Sequence, residues 1–265
     1  MNSTDVLDAS AIEAPLTLPR PTAEPPVEDA ETYEEVATAP SRLSTPSRDR
    51  YRLVALRLEA VTGFGRGGVG RVLVVTSPSR GDGKTTTTMN LGATLAAELG
   101  RRVIVIDADL RRPRLARKMG LEVRRGVGDV LRGRCSVEDV LWKVGDDELW
   151  IVPGNPDGDD DLGARGLGRM VDALREKADY VLLDTPAVDD SADAPALARL
   201  SDGVVLVVRS GQTKKSILAG ALDALLDAPL CGVILNDHRG PAEEARLLEP
   251  KRTAPALPPA RHDEA

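Results

Sequence analysis

Apolar residues along the chain fall in short dense runs separated by stretches of wider, helical spacing. The runs are "RVLVVTS" from Arg71, "RVIVIDAD" from Arg102, "LWIVPG" from Leu149, "DYVLLDTP" from Asp179, "DGVVLVVRS" from Asp202 and "CGVILN" from Cys231. Near-continuous Val, Ile and Leu predict strands buried on both faces, the condition of a parallel sheet. Between the runs, the spacing predicts helices over Lys84–Leu99, Pro113–Lys118, Leu167–Ala178, Ala194–Leu200 and Lys214–Leu226. Ser136 to Leu141 reads as a short helix capped by Ser136. Ahead of the first strand, "RDRYRLVALRLEAV" from Arg48 reads as an amphipathic helix carrying Tyr51, Val54, Leu56 and Leu58 on its apolar side. Strands alternating with helices in this way define an α/β fold: a mostly parallel central sheet with helices on both faces.

The ends of the chain lack this periodicity. Residues 1–47, rich in Pro, Ala, Thr and acids, read as a disordered acidic arm, and residues 245–265, ending in "LEPKRTAPALPPARHDEA" from Leu248, as a second disordered tail. That leaves one folded domain over residues 48–244. The net charge of −7 resides in the arm, where nine acids face two bases, so the body is neutral. A neutral body with 2% aromatic residues excludes a basic or base-stacking nucleic-acid module, and no nucleic acid is expected as a partner. Two separated cysteines, Cys135 and Cys231, form neither a disulfide framework nor paired metal ligands. No apolar run approaches the roughly 20 residues that span a bilayer, so the expected location is the cytoplasm.

Chemistry-bearing residues cluster where predicted strands end. "SPSRGDGKTTTT", from Ser77, follows the first strand and opens a helix. Gly81 and Gly83 let the backbone approach an anion, with the amides of Asp82, Lys84, Thr85 and Thr86 around it. Lys84 would reach the β- and γ-phosphates, and Thr85 would offer its hydroxyl to Mg²⁺. The loop begins on Pro78 where a standard phosphate loop has glycine. The second strand ends "VIVIDADLRRP", where period-two alternation sets Asp107 and Asp109 on one side. "YVLLDTPAV" delivers Asp184 from another buried strand, as expected of a Mg²⁺-shell carboxylate. "GFGRGG" (Gly63, Gly65, Gly68) precedes its strand instead of following it, and reads as a flexible connector rather than a dinucleotide fingerprint.

These motifs in this order, together with "GVVLVVRSGQT" and "GVILN", resemble the bacterial tyrosine kinases of capsule and exopolysaccharide biosynthesis. Those kinases share the P-loop NTPase fold with MinD- and ParA-type ATPases. The resemblance spans about Arg48 to Asn236. It implies a Mg-ATP-dependent autokinase: Lys84 and the loop on the phosphates, Thr85, Asp107 and Asp184 on Mg²⁺, Asp109 activating a tyrosine hydroxyl, and Asn236 at the adenine edge. It implies as partner a separate membrane-bound polysaccharide co-polymerase whose cytoplasmic tail activates the kinase and recruits it to the inner face of the membrane. Homo-oligomers are also implied.

Ser79 stands where MinD and ParA relatives carry a signature lysine, which favours the kinase over a partitioning ATPase. A nucleotide-binding regulator with little phosphotransfer remains the other alternative. The chain departs from the kinase pattern in three places. Its C-terminal tail has no tyrosine cluster, "DRYRLVALRLEA" keeps Arg52 and Arg57 without the E-x-x-R-x-x-R spacing, and Asp159, Asp160 and Asp161 occupy a loop read as solvated. The three tyrosines are Tyr33, Tyr51 and Tyr180. Tyr180 begins a strand expected to be buried. Tyr33, in "EDAETYEEV", is a phosphoacceptor candidate or else one residue of a solvated arm. The basic string "LRRPRLARK" neutralises phosphates, binds an acidic partner, or faces water.

Overall fold

The computed structural model describes residues 45–65, 69–155 and 164–238. Five of the six predicted apolar runs form strands buried along nearly their whole length: β1 (Arg71–Thr76), β2 (Val103–Asp107), β4 (Leu149–Val152), β5 (Tyr180–Asp184) and β6 (Gly203–Arg209). The sixth, β7 (Leu230–Asn236), is half exposed because it lies at the sheet edge. A two-residue strand, β3 (Trp142–Lys143), was not anticipated and pairs antiparallel with β4 at the opposite edge. The sheet order is β3-β4-β2-β5-β1-β6-β7, and every pairing except β3 with β4 is parallel.

Period-two alternation splits the sheet's side chains between two cores. On one face Val72, Val74, Ile104, Ile106, Val181 and Leu183 pack under α5 (Ala164–Arg175) and α6 (Asp193–Arg199). On the other, Leu73, Val75, Val103, Val105, Tyr180 and Leu182 pack under α1 (Thr45–Thr62) and α2 (Lys84–Leu99). Both faces are therefore covered. In α1, Tyr51, Val54, Ala55 and Leu58 make the packed stripe, at helical spacing. Leu56, expected on that stripe, is 47% exposed, because two residues from Val54 and Leu58 it is turned to the far side of the helix.

Three local departures have physical causes. The predicted Pro113 helix begins later, as α3 (Leu115–Lys118), because Asp107 accepts the amides of Arg114 and Leu115, both at 2.8 Å, and so sets the first turn. The Ser136 helix is a single 3₁₀ turn, Glu138–Val140; Ser136 donates both its amide and its hydroxyl to Asp139 instead of capping as an acceptor. "GFG" is not a free connector: Gly63 and Gly65 turn the chain at positive φ so that Phe64 stacks on Tyr180, centroids 5.1 Å apart, beneath the Arg101 guanidinium. The remaining helices are α4 (Val127–Leu131) and α7 (Lys215–Ala224). Tyr33, Asp159 to Asp161, Gly68 and the C-terminal tail lie outside the described residues.

Candidate active site

The carboxyl ends of β1, β2 and β5 lie side by side, and the loop Ser77–Gly83 rises from β1 between them. Gly83 is the residue before α2 and takes φ 101°, a left-handed conformation that favours glycine. A Cβ there would run into the side-chain amide of Asn236. No side chain caps α2, so its first amides are left to face an anion at the positive end of the helix.

Asp82 holds the loop in shape. Its buried carboxylate accepts the Ser79 amide at 3.0 Å and the Thr213 hydroxyl at 3.1 Å, while its carbonyl accepts the Asn236 amide at 2.9 Å. The Asp82 side chain is thus engaged in bracing the loop, and the cleft beside it is lined by the flanking Gly81 and Gly83. Asn236, expected at the base, has its donor engaged behind the loop. Ser79 donates its hydroxyl to Asp189 at 2.7 Å.

Lys84, Thr85, Thr86 and Asp109 line one cleft of about 190 Å³ with Gly81 and Gly83. The four threonines divide. Thr85 and Thr86 face the cleft, whereas Thr87 and Thr88 are buried, Thr88 donating to the Lys84 carbonyl at 3.0 Å and reaching Asp184 at 3.4 Å. Arg114 and Lys118 of the basic string also line the cleft, and Lys118 donates to Thr86 at 3.0 Å. Arg112 pairs with Asp190 at 3.3 Å, as does Arg80 at 3.6 Å. Reading the sequence missed Asp189, Asp190 and Thr213 as supports of the loop. The two acids follow "DTPAV" immediately, and that adjacency to a strand-end carboxylate was the available signal.

Asp107 and Asp184 are register partners on neighbouring strands and both are buried. Burial pushes both carboxyls upward, Asp184 to about 6, and for Asp107 the proximity of Asp184 pushes in the same direction. Asp107 Oδ2 accepts two backbone amides, yet buried Oδ1 has no hydrogen-bond partner. An unsatisfied carboxylate oxygen beside a second carboxylate is the environment a divalent cation relieves. Among the described residues no three His, Cys, Asp or Glu side chains converge on one point, so the protein supplies too few ligands for an all-protein cage. Mg²⁺ fits that donor set, being held elsewhere by one or two carboxylates plus phosphates. Burial lowers the Lys84 ammonium, against the pull of Asp184 and Asp109. Asp109 is raised by burial, against the field of Lys84.

A glycine-bounded loop opening a helix, two strand-end acids and a doubly covered parallel sheet define a P-loop NTPase. Residues 73–253 match the family described as the CobQ/CobB/MinD/ParA nucleotide binding domain, and the chain belongs to it and to its bacterial tyrosine kinase branch. Tyrosine-protein kinase YwqD of Bacillus subtilis (strain 168) is 34% identical over 174 residues, 63% of this chain and 72% of that protein. Succinoglycan biosynthesis transport protein ExoP of Rhizobium meliloti (strain 1021) is 30% identical over 183 residues, 64% of this chain but 22% of that protein. Septum site-determining protein MinD of Bacillus subtilis (strain 168) is 40% identical over a shorter 124 residues, 45% of this chain and 46% of that protein. Among solved structures, the BceF tyrosine kinase domain aligns with TM-score 0.60 and 26% identity over 71% of this chain and 76% of that one. The domain that carries this cleft is therefore a nucleotide-binding one.

Proposed function

We propose that the chain is a Mg-ATP-dependent protein tyrosine kinase that regulates the synthesis and export of an extracellular polysaccharide. The observation that carries this reading is a cleft lined by the phosphate loop and the carboxylate Asp109, with the paired acids Asp107 and Asp184 buried behind it at the ends of neighbouring strands, Asp184 reaching Thr88 of the helix that the loop opens. The likeness to kinases extends further along the chain than the likeness to MinD. Ser79, in place of the lysine that MinD relatives carry, is tied to Asp189 within its own chain, which supports the same choice.

The proposed roles follow from position. Amides of the loop and of the first turn of α2 receive the phosphates, and Lys84 neutralises the oxygens that gain charge as the γ-phosphoryl group leaves. Thr85, Asp107 and Asp184 hold Mg²⁺, which when bound screens the phosphate charges and fixes the nucleotide's orientation. Asp109 orients the acceptor hydroxyl and takes its proton. The tyrosine oxygen forms the new bond to the γ-phosphorus while the bond to the β–γ bridging oxygen breaks and ADP departs. Asn236 braces the loop. Residues 48–244 act as the catalytic unit, and a membrane-bound co-polymerase with a cytoplasmic tail activates it and brings it to the membrane's inner face, in keeping with the polysaccharide named for ExoP.

Purified protein with labelled Mg-ATP is expected to form phosphotyrosine, and Lys84→Met to lower that label at least about a hundredfold. Hydrolysis without phosphotyrosine would replace this reading with a partitioning ATPase. Nucleotide binding with neither reaction would replace it with a nucleotide-binding regulator.

A further inference from the structure

Beside the phosphate cleft runs a second depression of about 560 Å³. Its floor is apolar, formed by Pro113, Leu121 and Val123, and its rim carries Arg112, Arg114 and Arg117, with Glu122 as the one carboxylate on the lining. Arg114 lines both spaces, so the groove adjoins the cleft of Lys84 and Asp109. An apolar floor under three guanidinium groups suits an aromatic residue flanked by acids.

The chain has three tyrosines. Tyr180 is fully buried in the sheet against Phe64. Tyr51 is half-buried in the contact between α1 and the core, on a helix whose Arg48 and Arg52 pair with Glu98 near the C-terminal end of α2. The cleft sits at the N-terminal end of α2, about 20 Å away along that helix. Tyr33 lies outside the described residues, in a sequence where Glu28, Asp29, Glu31, Glu34 and Glu35 surround it.

Resting on the kinase reading, we propose that this groove receives the acidic segment around Tyr33 and presents Tyr33 for phosphorylation. Charge complementarity selects the segment, because five acids flank the tyrosine while Arg114 and Arg117 line the groove beside Arg112, which is paired with Asp190. The 12 residues from position 45, where α1 starts, to Tyr33 extend at most about 40 Å, more than the roughly 20 Å along α2 from the Glu98 contact of α1 to the cleft, so the segment is within reach of the groove. In the transfer, the Tyr33 oxygen bonds to the γ-phosphorus as the bond to the bridging oxygen breaks, ADP leaves with that electron pair, and the phenol proton passes to Asp109.

The full-length chain, Mg-ATP and a glutamate–tyrosine copolymer test this together. Label is expected on Tyr33. Tyr33→Phe is expected to cut self-labelling at least about tenfold while copolymer labelling stays within about twofold. With a peptide of residues 28–36 as acceptor, Arg117→Glu is expected to raise KM about tenfold at nearly constant kcat, and added salt to reduce the difference. Replacing Glu31, Glu34 and Glu35 of the peptide by Gln should raise KM similarly, with no change to the folded body. Copolymer labelling with Tyr33 unmodified overturns the proposal and leaves the kinase reading standing. An unchanged KM in both acceptor tests overturns the groove. Absence of phosphotyrosine on any acceptor overturns both readings.

Discussion

Asp107 serves two purposes that conflict until a cation arrives. One oxygen starts α3 through two amides, and the other is buried without a partner beside Asp184. Replacing it with Asn keeps an acceptor for the amides and removes one of two adjoining buried charges. Asp107→Asn is therefore expected to raise the melting temperature of the nucleotide-free protein by a few degrees, about 1–2 kcal/mol, and to abolish Mg²⁺-dependent nucleotide binding. The sign of the pH dependence follows from the raised carboxyls. Asp184 titrates at about 6 when folded against 3.8 as the ordinary value, so the folded state holds protons that the unfolded state has shed. Stability contributed by that protonation is lost as pH rises from about 4 through 6, and thermal melts of nucleotide-free protein across that window should show the decline. Gly83 permits a separate test. Gly83→Ala forces a side chain into a left-handed backbone and against Asn236, and should cost about 1–3 kcal/mol of stability together with nucleotide affinity. Adding Asn236→Gly removes the collision but not the backbone strain, so calorimetry on the double variant should show partial recovery only.

At the scale of elements, α5 is tied to the sheet by a polar junction at the end opposite the cleft. Arg175 donates to Asp202 at 2.8 Å and to the Gly70 carbonyl at 3.2 Å, and the same Asp202 oxygen accepts the Val72 amide at 2.8 Å. Asp202→Ala leaves a partly buried guanidinium and an amide without their acceptor. Denaturant unfolding is expected to show a loss of about 1–3 kcal/mol with nucleotide affinity unchanged. The elements that could be read from sequence were those whose pattern is a property of the element itself, such as the apolar runs of β1, β2, β5 and β6 and the long helix α2. Asp107 and Asp184 were legible as strand ends for the same reason, each closing an apolar run, whereas Asp109 lies beyond the end of β2, where strand alternation no longer sets its direction. Elements made by distant contacts could not be read. In α4, "GVGDVL" carries two glycines in helix-poor surroundings, yet Gly126 must be bare because a Cβ would strike Pro153 and Gly154. Asp129 then closes the turn by accepting the Gly126 amide at 3.2 Å and the Asn155 side chain at 2.8 Å. β3 exists only because β4 offers it an edge. Asn236 lies 154 residues from the carbonyl it holds, a partnership no local pattern encodes.

Across the whole molecule, a single sheet covered on both faces gathers every candidate catalytic group at one rim. Ligand binding there should stabilise the fold by linkage: at about 100 times the dissociation constant of Mg-nucleotide, by about 2.7 kcal/mol. Differential scanning fluorimetry should show that rise in the natural sequence and none in Lys84→Met. No helix among the described residues is long and apolar enough to cross a membrane, so attachment to a membrane partner would be through a surface and not a span of those residues. The Asn236–Asp82 bond joins the phosphate loop to β7, which among the described residues pairs with β6 alone. Filling the loop therefore clamps an outer strand. Deuterium uptake at β7 amides should slow when nucleotide binds, and Asn236→Ala should uncouple that slowing from occupancy. The sheet's exposed border would then carry a record of whether the cleft is full, readable by any molecule that touches it.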